Sequence, residues 1–196
     1  MKDVFISGWC GYPEIFGEFA DEFEFVVPFI THAVEDIEEL LEGGGRNLFA
    51  WSTGTNIVMN LDKKPDFENI LMAAPFKKFT DYTPKRIFMR MIERYSVDPE
   101  GTVKDFFKRC SCTFLPKIKN EADERFLLIC LKYLLESDVP EIKWDMSDIK
   151  ILHGTKDLIV NISSGRNIAD EVGCEIVELE GIGHYIPPEI LRNYKI

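Results

Sequence analysis

The chain has few of the residues from which specialised architectures are built. Its five cysteines, Cys10, Cys110, Cys112, Cys130 and Cys174, are odd in number and scattered, so no disulfide framework is expected. Free thiols fit a reducing compartment, and a cytoplasmic location is the expectation. Cys110-Ser111-Cys112 lacks a companion Cys/His pair at zinc spacing, which argues against a metal site. The triple glycine at 43–45 lacks the Gly-Lys-Ser/Thr ending of a phosphate loop and is read as a turn, leaving no cofactor implied. No apolar run approaches the roughly 20 residues that a membrane span requires. The N-terminal residues also lack a signal-peptide pattern. Basic residues are in deficit, 23 Lys plus Arg against 34 Asp plus Glu, which disfavours binding to nucleic acid phosphate.

That deficit is uneven. Between Lys77 and Lys119 eleven basic residues face five acidic ones, a net of +6, which leaves −17 for the remainder of the chain. Hydrophobic residues make up 45% and charged residues 29%, the balance of an ordinary globular domain with one substantial core.

Periodicity places a parallel α/β pattern on either side of a helical stretch. Val4 to Ile6, Phe23 to Val27, Asn47 to Trp51 and Ile70 to Ala74 read as strands. Helices are expected over Pro13 to Ala20, over Val34 to Leu41, and from Ser52 to about Leu61. After Pro75 the alternation gives way to successive helices. Thr83-Pro84 opens the first, with Thr83 as cap and an apolar face of Ile87, Phe88, Met91, Ile92 and Tyr95. Asp98-Pro99 opens the second, and Asn120 caps a third whose apolar positions are Phe126, Ile129, Cys130, Tyr133 and Leu134. Alternation resumes with strand Ile149 to His153, helix Ser163 to Val172, strand Glu175 to Leu179, and a short helix after Pro187-Pro188. The division expected is a core in two parts, residues 1–75 and 148–196, with a helical insertion at 76–147.

Three segments carry chemistry. Ala50-Trp51-Ser52-Thr53-Gly54 joins a strand to a helix, with small residues on both sides of the serine, as a sharp nucleophile elbow demands. Taken alone, Ser52 reads equally well as a helix cap. Gly154-Thr155-Lys156-Asp157 brings an acid just past a strand, and Gly183-His184 places a histidine beyond the last strand, completing the chain order Ser, Asp, His. Ser52 is then the nucleophile, His184 the base, and Asp157 the group that holds the imidazole tautomer. The oxyanion needs two backbone donors: the amide of Thr53, and that of Trp9 in the Ser7-Gly8-Trp9-Cys10 loop. The other two histidines, His32 and His153, read as structural.

With these motifs the chain resembles the α/β-hydrolase superfamily, whose fold here implies a mostly parallel sheet of about six strands with an inserted helical lid. Within it, Gly8-Trp9, Ala50-Trp51-Ser52-Thr53-Gly54, Gly154-Thr155-Lys156-Asp157, Gly183-His184 and a basic lid with Lys85, Arg86, Arg90 and Arg94 resemble the pimeloyl-acyl carrier protein methyl ester esterases of biotin synthesis. Two departures stand out. Ser7 occupies a position where His-Gly is common, and the first strand here is the one that usually comes third. The resemblance implies hydrolysis of the methyl ester of a pimeloyl chain on acyl carrier protein. Arg86, Arg90 and Arg94, at four-residue steps on one helix face, would then meet the acidic carrier. They would otherwise be a solvated face. A short-chain carboxylesterase or acyl thioesterase would share every catalytic residue, and an acyl-binding module on a hydrolase shell is the alternative without chemistry.

Overall fold

A computed structural model describes all residues, 1–196. Its centre is one six-stranded sheet: β1 (Asp3–Ile6), β2 (Glu24–Val26), β3 (Gly45–Trp51), β4 (Phe67–Ala73), β5 (Lys150–Gly154) and β6 (Glu175–Leu179). The spatial order is β2-β1-β3-β4-β5-β6, and every neighbouring pair is parallel. Parallel strands need crossovers that cover both faces, so successive side chains are buried on alternate sides. Phe5, Phe49, Trp51, Leu71 and Leu152 face one core. Val4, Ile6, Leu48, Ala50, Met72 and Ile151 face the other.

That second core is closed by α1 (Val34–Glu42), α2 (Thr53–Met59) and α6 (Ser163–Val172), through Ile37, Leu41, Ile57, Val58, Met59 and Ile168. Between β4 and β5 run α3 (Lys85–Tyr95), α4 (Pro99–Arg109) and α5 (Glu121–Glu136). These pack on the first face through Phe88, Tyr95, Val103, Phe107, Leu127, Leu131 and Leu134. The chain ends with the short α7 (Pro188–Leu191). No helix is long and apolar enough to cross a membrane.

Several local expectations change. Pro13 to Ala20 is not an α-helix but two 3₁₀ turns, Pro13–Ile15 and Gly17–Glu22, because Gly17 at φ 56° breaks the helical path between them. Thr83 does not cap α3. Pro84, with ψ 130°, is still extended and itself stands at the boundary. Asp98 and Asn120 do cap α4 and α5, each side chain accepting from an amide three residues on at 2.9 Å. The buried stripe of α5 is Asp123, Leu127, Cys130, Leu131 and Leu134, with Phe126 and Ile129 exposed. Its rotation is set by contacts with the loop after β1: Tyr12 donates to Asp123 Oδ2 at 2.8 Å, and Trp9 Nε1 to the Leu127 carbonyl at 3.0 Å.

Candidate active site

Strand order reverses between β1 and β3, since β2 lies on one side of β1 and all later strands on the other. In open parallel sheets the crevice at the carboxyl ends of such strands is where ligands sit. Gly8 follows β1 there and Ser52 follows β3. Ser52 has φ 55° and ψ −114°, a strained conformation for a residue with a side chain, with a cost of about 1–3 kcal/mol. Two close approaches hold the turn. A Cβ on Gly54 would lie 2.3 Å from the Ile6 carbonyl oxygen, and one on Gly8 would lie 2.9 Å from Ser52 Cβ. The Ser52 amide donates to the Ala73 carbonyl at 2.9 Å, anchoring the elbow to β4.

The loops after β5 and β6 complete the constellation. Ser52 Oγ lies 2.9 Å from His184 Nε2, and His184 Nδ1 lies 2.7 Å from Asp157 Oδ2. A carboxylate only accepts, so Nδ1 carries the proton and Nε2 is free to accept from the serine hydroxyl. Asp157 Oδ1 accepts from the amides of Ile159 and Val160 at 2.7 and 2.9 Å. Burial pushes the Asp157 carboxyl up, but the favourable electrostatics of the His184 and His153 N–H groups facing it outweigh this, leaving it well below the usual carboxylate range. Gly154 is required because a Cβ would meet the carbonyl oxygens of Ile182 and Gly183 at 2.3 and 2.4 Å. The histidine loop is fixed from three directions: Trp51 Nε1 to the His184 carbonyl at 2.9 Å, the Tyr185 amide to Cys110 at 3.0 Å, and Tyr185 Oη to Ile15 at 2.7 Å.

The amides of Trp9 and Thr53 donate to no backbone carbonyl, and both residues line the same cavity as Ser52. This cavity, about 630 Å³, lies beneath α3 and α4. Phe79, Phe88, Met91, Phe106, Leu131 and Leu134 give it an apolar wall, while Phe107 is withdrawn into the core. Ile87, expected on the apolar face of α3, is 54% exposed at the cavity.

The three arginines of α3 are in different settings. Arg94 is engaged by Asp105 at 2.5 Å and Asp98 at 3.7 Å. Arg90 lines the cavity without an ion pair, and Arg86 lies outside it, beside Lys85, on the exposed surface. Arg109, with no role expected from the sequence, donates from Nη2 to the Leu158 carbonyl at 2.7 Å and so ties α4 to the acid loop. His153, expected to be structural, lies against the acid. The ring is fully buried with Nε2 3.3 Å from Asp157 Oδ2. The Leu-His-Gly strand end four residues before the acid was the only local signal. Asp145 and Asp148 are engaged elsewhere, by the Ser147 amide at 2.9 Å and by Lys64 at 2.5 Å.

Strand order, elbow and insertion together define the α/β-hydrolase fold. No protein-family model and no curated protein sequence matches the chain. Solved structures do. An esterase from Exiguobacterium antarcticum matches with a TM-score of 0.73 at 14% identity, covering 98% of this chain and 89% of that one. A thermophilic esterase from Thermogutta terrifontis gives 0.68 at 15% identity, with 98% and 86% covered. An α/β hydrolase enzyme from a Medee basin deep-sea metagenome library gives 0.67 at 16% identity, again with 98% and 86% covered. At these identities the shared property is the fold.

Proposed function

We propose that the chain is a serine carboxylic ester hydrolase, with Ser52 as nucleophile, His184 as general base and Asp157 as the residue that orients it. The observation that carries this reading is the unbroken run from Ser52 Oγ through His184 to Asp157, with links of 2.9 and 2.7 Å, whose Ser52 end lines a largely apolar cavity. His184 Nε2 takes the hydroxyl proton as Ser52 Oγ attacks the ester carbonyl. The oxyanion accepts from the amides of Thr53 and Trp9. His184 then returns its proton to the departing alkoxide, and water attacks the acyl-serine by the same route to release the acid.

For the substrate, we favour an acyl ester carried on acyl carrier protein, in the form that the sequence resemblance implies: the methyl ester of a pimeloyl chain, cleaved to a carboxylate and methanol. The cavity volume lies within the roughly 300–1,000 Å³ usual for small-ligand sites. Its apolar wall suits a methylene chain. Lys85, Arg86 and Arg90 form no ion pair and give an acidic carrier a surface of opposite charge. The experiment is to compare kcat/KM on an acyl carrier protein ester and on a neutral p-nitrophenyl ester, for the wild type and for a Lys85→Glu, Arg86→Glu variant. The reading predicts a loss confined to the carrier substrate, shrinking as salt screens the attraction. Equal rates for both proteins on the carrier ester would remove the carrier from the account and leave a general carboxylesterase.

A further inference from the structure

His153 ends β5, four residues before Asp157, and its imidazole is wholly enclosed. Nε2 lies 3.0 Å from the Val160 carbonyl oxygen and 3.3 Å from Asp157 Oδ2, the oxygen already bonded by His184. A carbonyl oxygen only accepts, so Nε2 carries a proton. Nδ1 has no partner, and a Cβ on Gly165 would sit 2.6 Å from it. The ring's hydrogen bonding is therefore carried by Nε2 alone. The ionisable groups around it are Asp157 and His184 from the two loops, Cys110 near Asp157 from the turn after α4, and Glu178, its register partner on β6. Glu178 is itself paired with Arg166 of α6.

The carboxylate of Asp157 therefore accepts two amides at Oδ1 and the His184 N–H at Oδ2, and the Nε2–H of His153, donated to Val160, stands 3.3 Å from that same oxygen of an ion with no exposed side-chain surface. On the triad reading above, we propose that His153 is a positioning residue of the catalytic acid: it ties the acid loop to β5 through Val160 and sets its N–H beside Oδ2. It thereby fixes the carboxylate and draws off part of the charge that His184 feels. Without it, Asp157 would be a stronger counter-charge, and His184 would hold a proton to higher pH, where it cannot accept one from Ser52.

His153→Phe removes the N–H and keeps a ring, while His153→Gln keeps an N–H at similar reach. The Phe variant should lose about tenfold in kcat on a small ester, the scale of one hydrogen bond, with KM little changed. The acid limb of its kcat/KM profile should move to higher pH. The Gln variant should return the limb to its wild-type place. An unmoved limb in the Phe variant, or a Gln variant no better than Phe, would reduce His153 to packing. Should the Phe variant fail to fold, nitrogen-15 histidine spectra of the wild type still decide. His153, assigned through the Gln variant, should carry a proton on Nε2 at neutral pH, and a ring whose only proton is on Nδ1 overturns the proposal. That spectrum needs no turnover, so failure of the hydrolase reading, seen as full activity in Ser52→Ala, is distinguishable from failure of this one.

Discussion

Replacing Asp157 by Asn preserves the shape of the acid loop and reverses the sense of one hydrogen bond. The amides of Ile159 and Val160 stand 2.7 and 2.9 Å from Oδ1, and each needs an acceptor. The Asn carbonyl oxygen must therefore turn toward them and its NH2 toward His184. The opposite orientation would set two donors against those amides, a worse conflict than the single contact at 3.3 Å with His153 Nε2. Facing an NH2, His184 Nδ1 becomes an acceptor and the ring proton moves to Nε2. It then points at Ser52 Oγ, 2.9 Å away, and cannot receive the hydroxyl proton. Loss of the correct tautomer costs on the order of 10⁴-fold in kcat, about 5.4 kcal/mol of transition-state stabilisation. The assay is kcat on a p-nitrophenyl ester, with circular dichroism to establish that the variant is folded. A folded Asp157→Asn protein within tenfold of the wild type would refute the tautomer argument, and a large loss in Asp145→Asn or Asp148→Asn instead would relocate the acid.

Two predictions concern stability. Burial pushes the Asp3 carboxyl up, but hydrogen bonds from Arg46, Asn47 and Lys195 outweigh it and hold it well below the usual carboxylate range. With its folded pKa depressed, Asp3 contributes fully above its unfolded pKa of about 3.9, and that contribution drains away as pH falls toward the folded value. Asp3→Asn should therefore cost about 1–3 kcal/mol near neutrality and flatten the acid limb of a stability-versus-pH curve, measured by urea unfolding. Phe107, fully buried between α4 and the sheet-side core, should cost about 3–5 kcal/mol on truncation to Ala, read as a lower urea midpoint with an unchanged slope.

What was legible in the sequence is what local chemistry dictates. Ser52-Thr53-Gly54 at a strand-helix junction, Asp157 after one strand and His184 after another are each specified within a few residues. Parallel strands then bring their carboxyl ends to one edge. The strands themselves were readable because a sheet covered on both faces needs near-continuous apolar runs such as Leu48 to Trp51. Features that depend on distant partners were not. In α5 the stripe through Phe126 and Ile129 has the same period as the one through Leu127, Leu131 and Leu134, and contacts with distant residues, Trp9, Tyr12, Tyr95 and Asn56 among them, decide which is buried. Arg94 looked equivalent to Arg86 and Arg90 until Asp105, on the next helix, engaged it. His153 gave no periodic signal, because its contact with Asp157 arises only when the acid loop folds back over the end of β5.

Whether Ser52 is the nucleophile is read directly by covalent labelling. The protein should be treated with a fluorophosphonate, digested and analysed by mass spectrometry, with turnover of a p-nitrophenyl ester followed in parallel. One phosphonyl adduct is expected, on Ser52, forming in proportion to the activity lost and absent from a folded, inactive Ser52→Ala variant. An adduct on another residue, or turnover that persists in fully labelled protein, would contradict that role for Ser52.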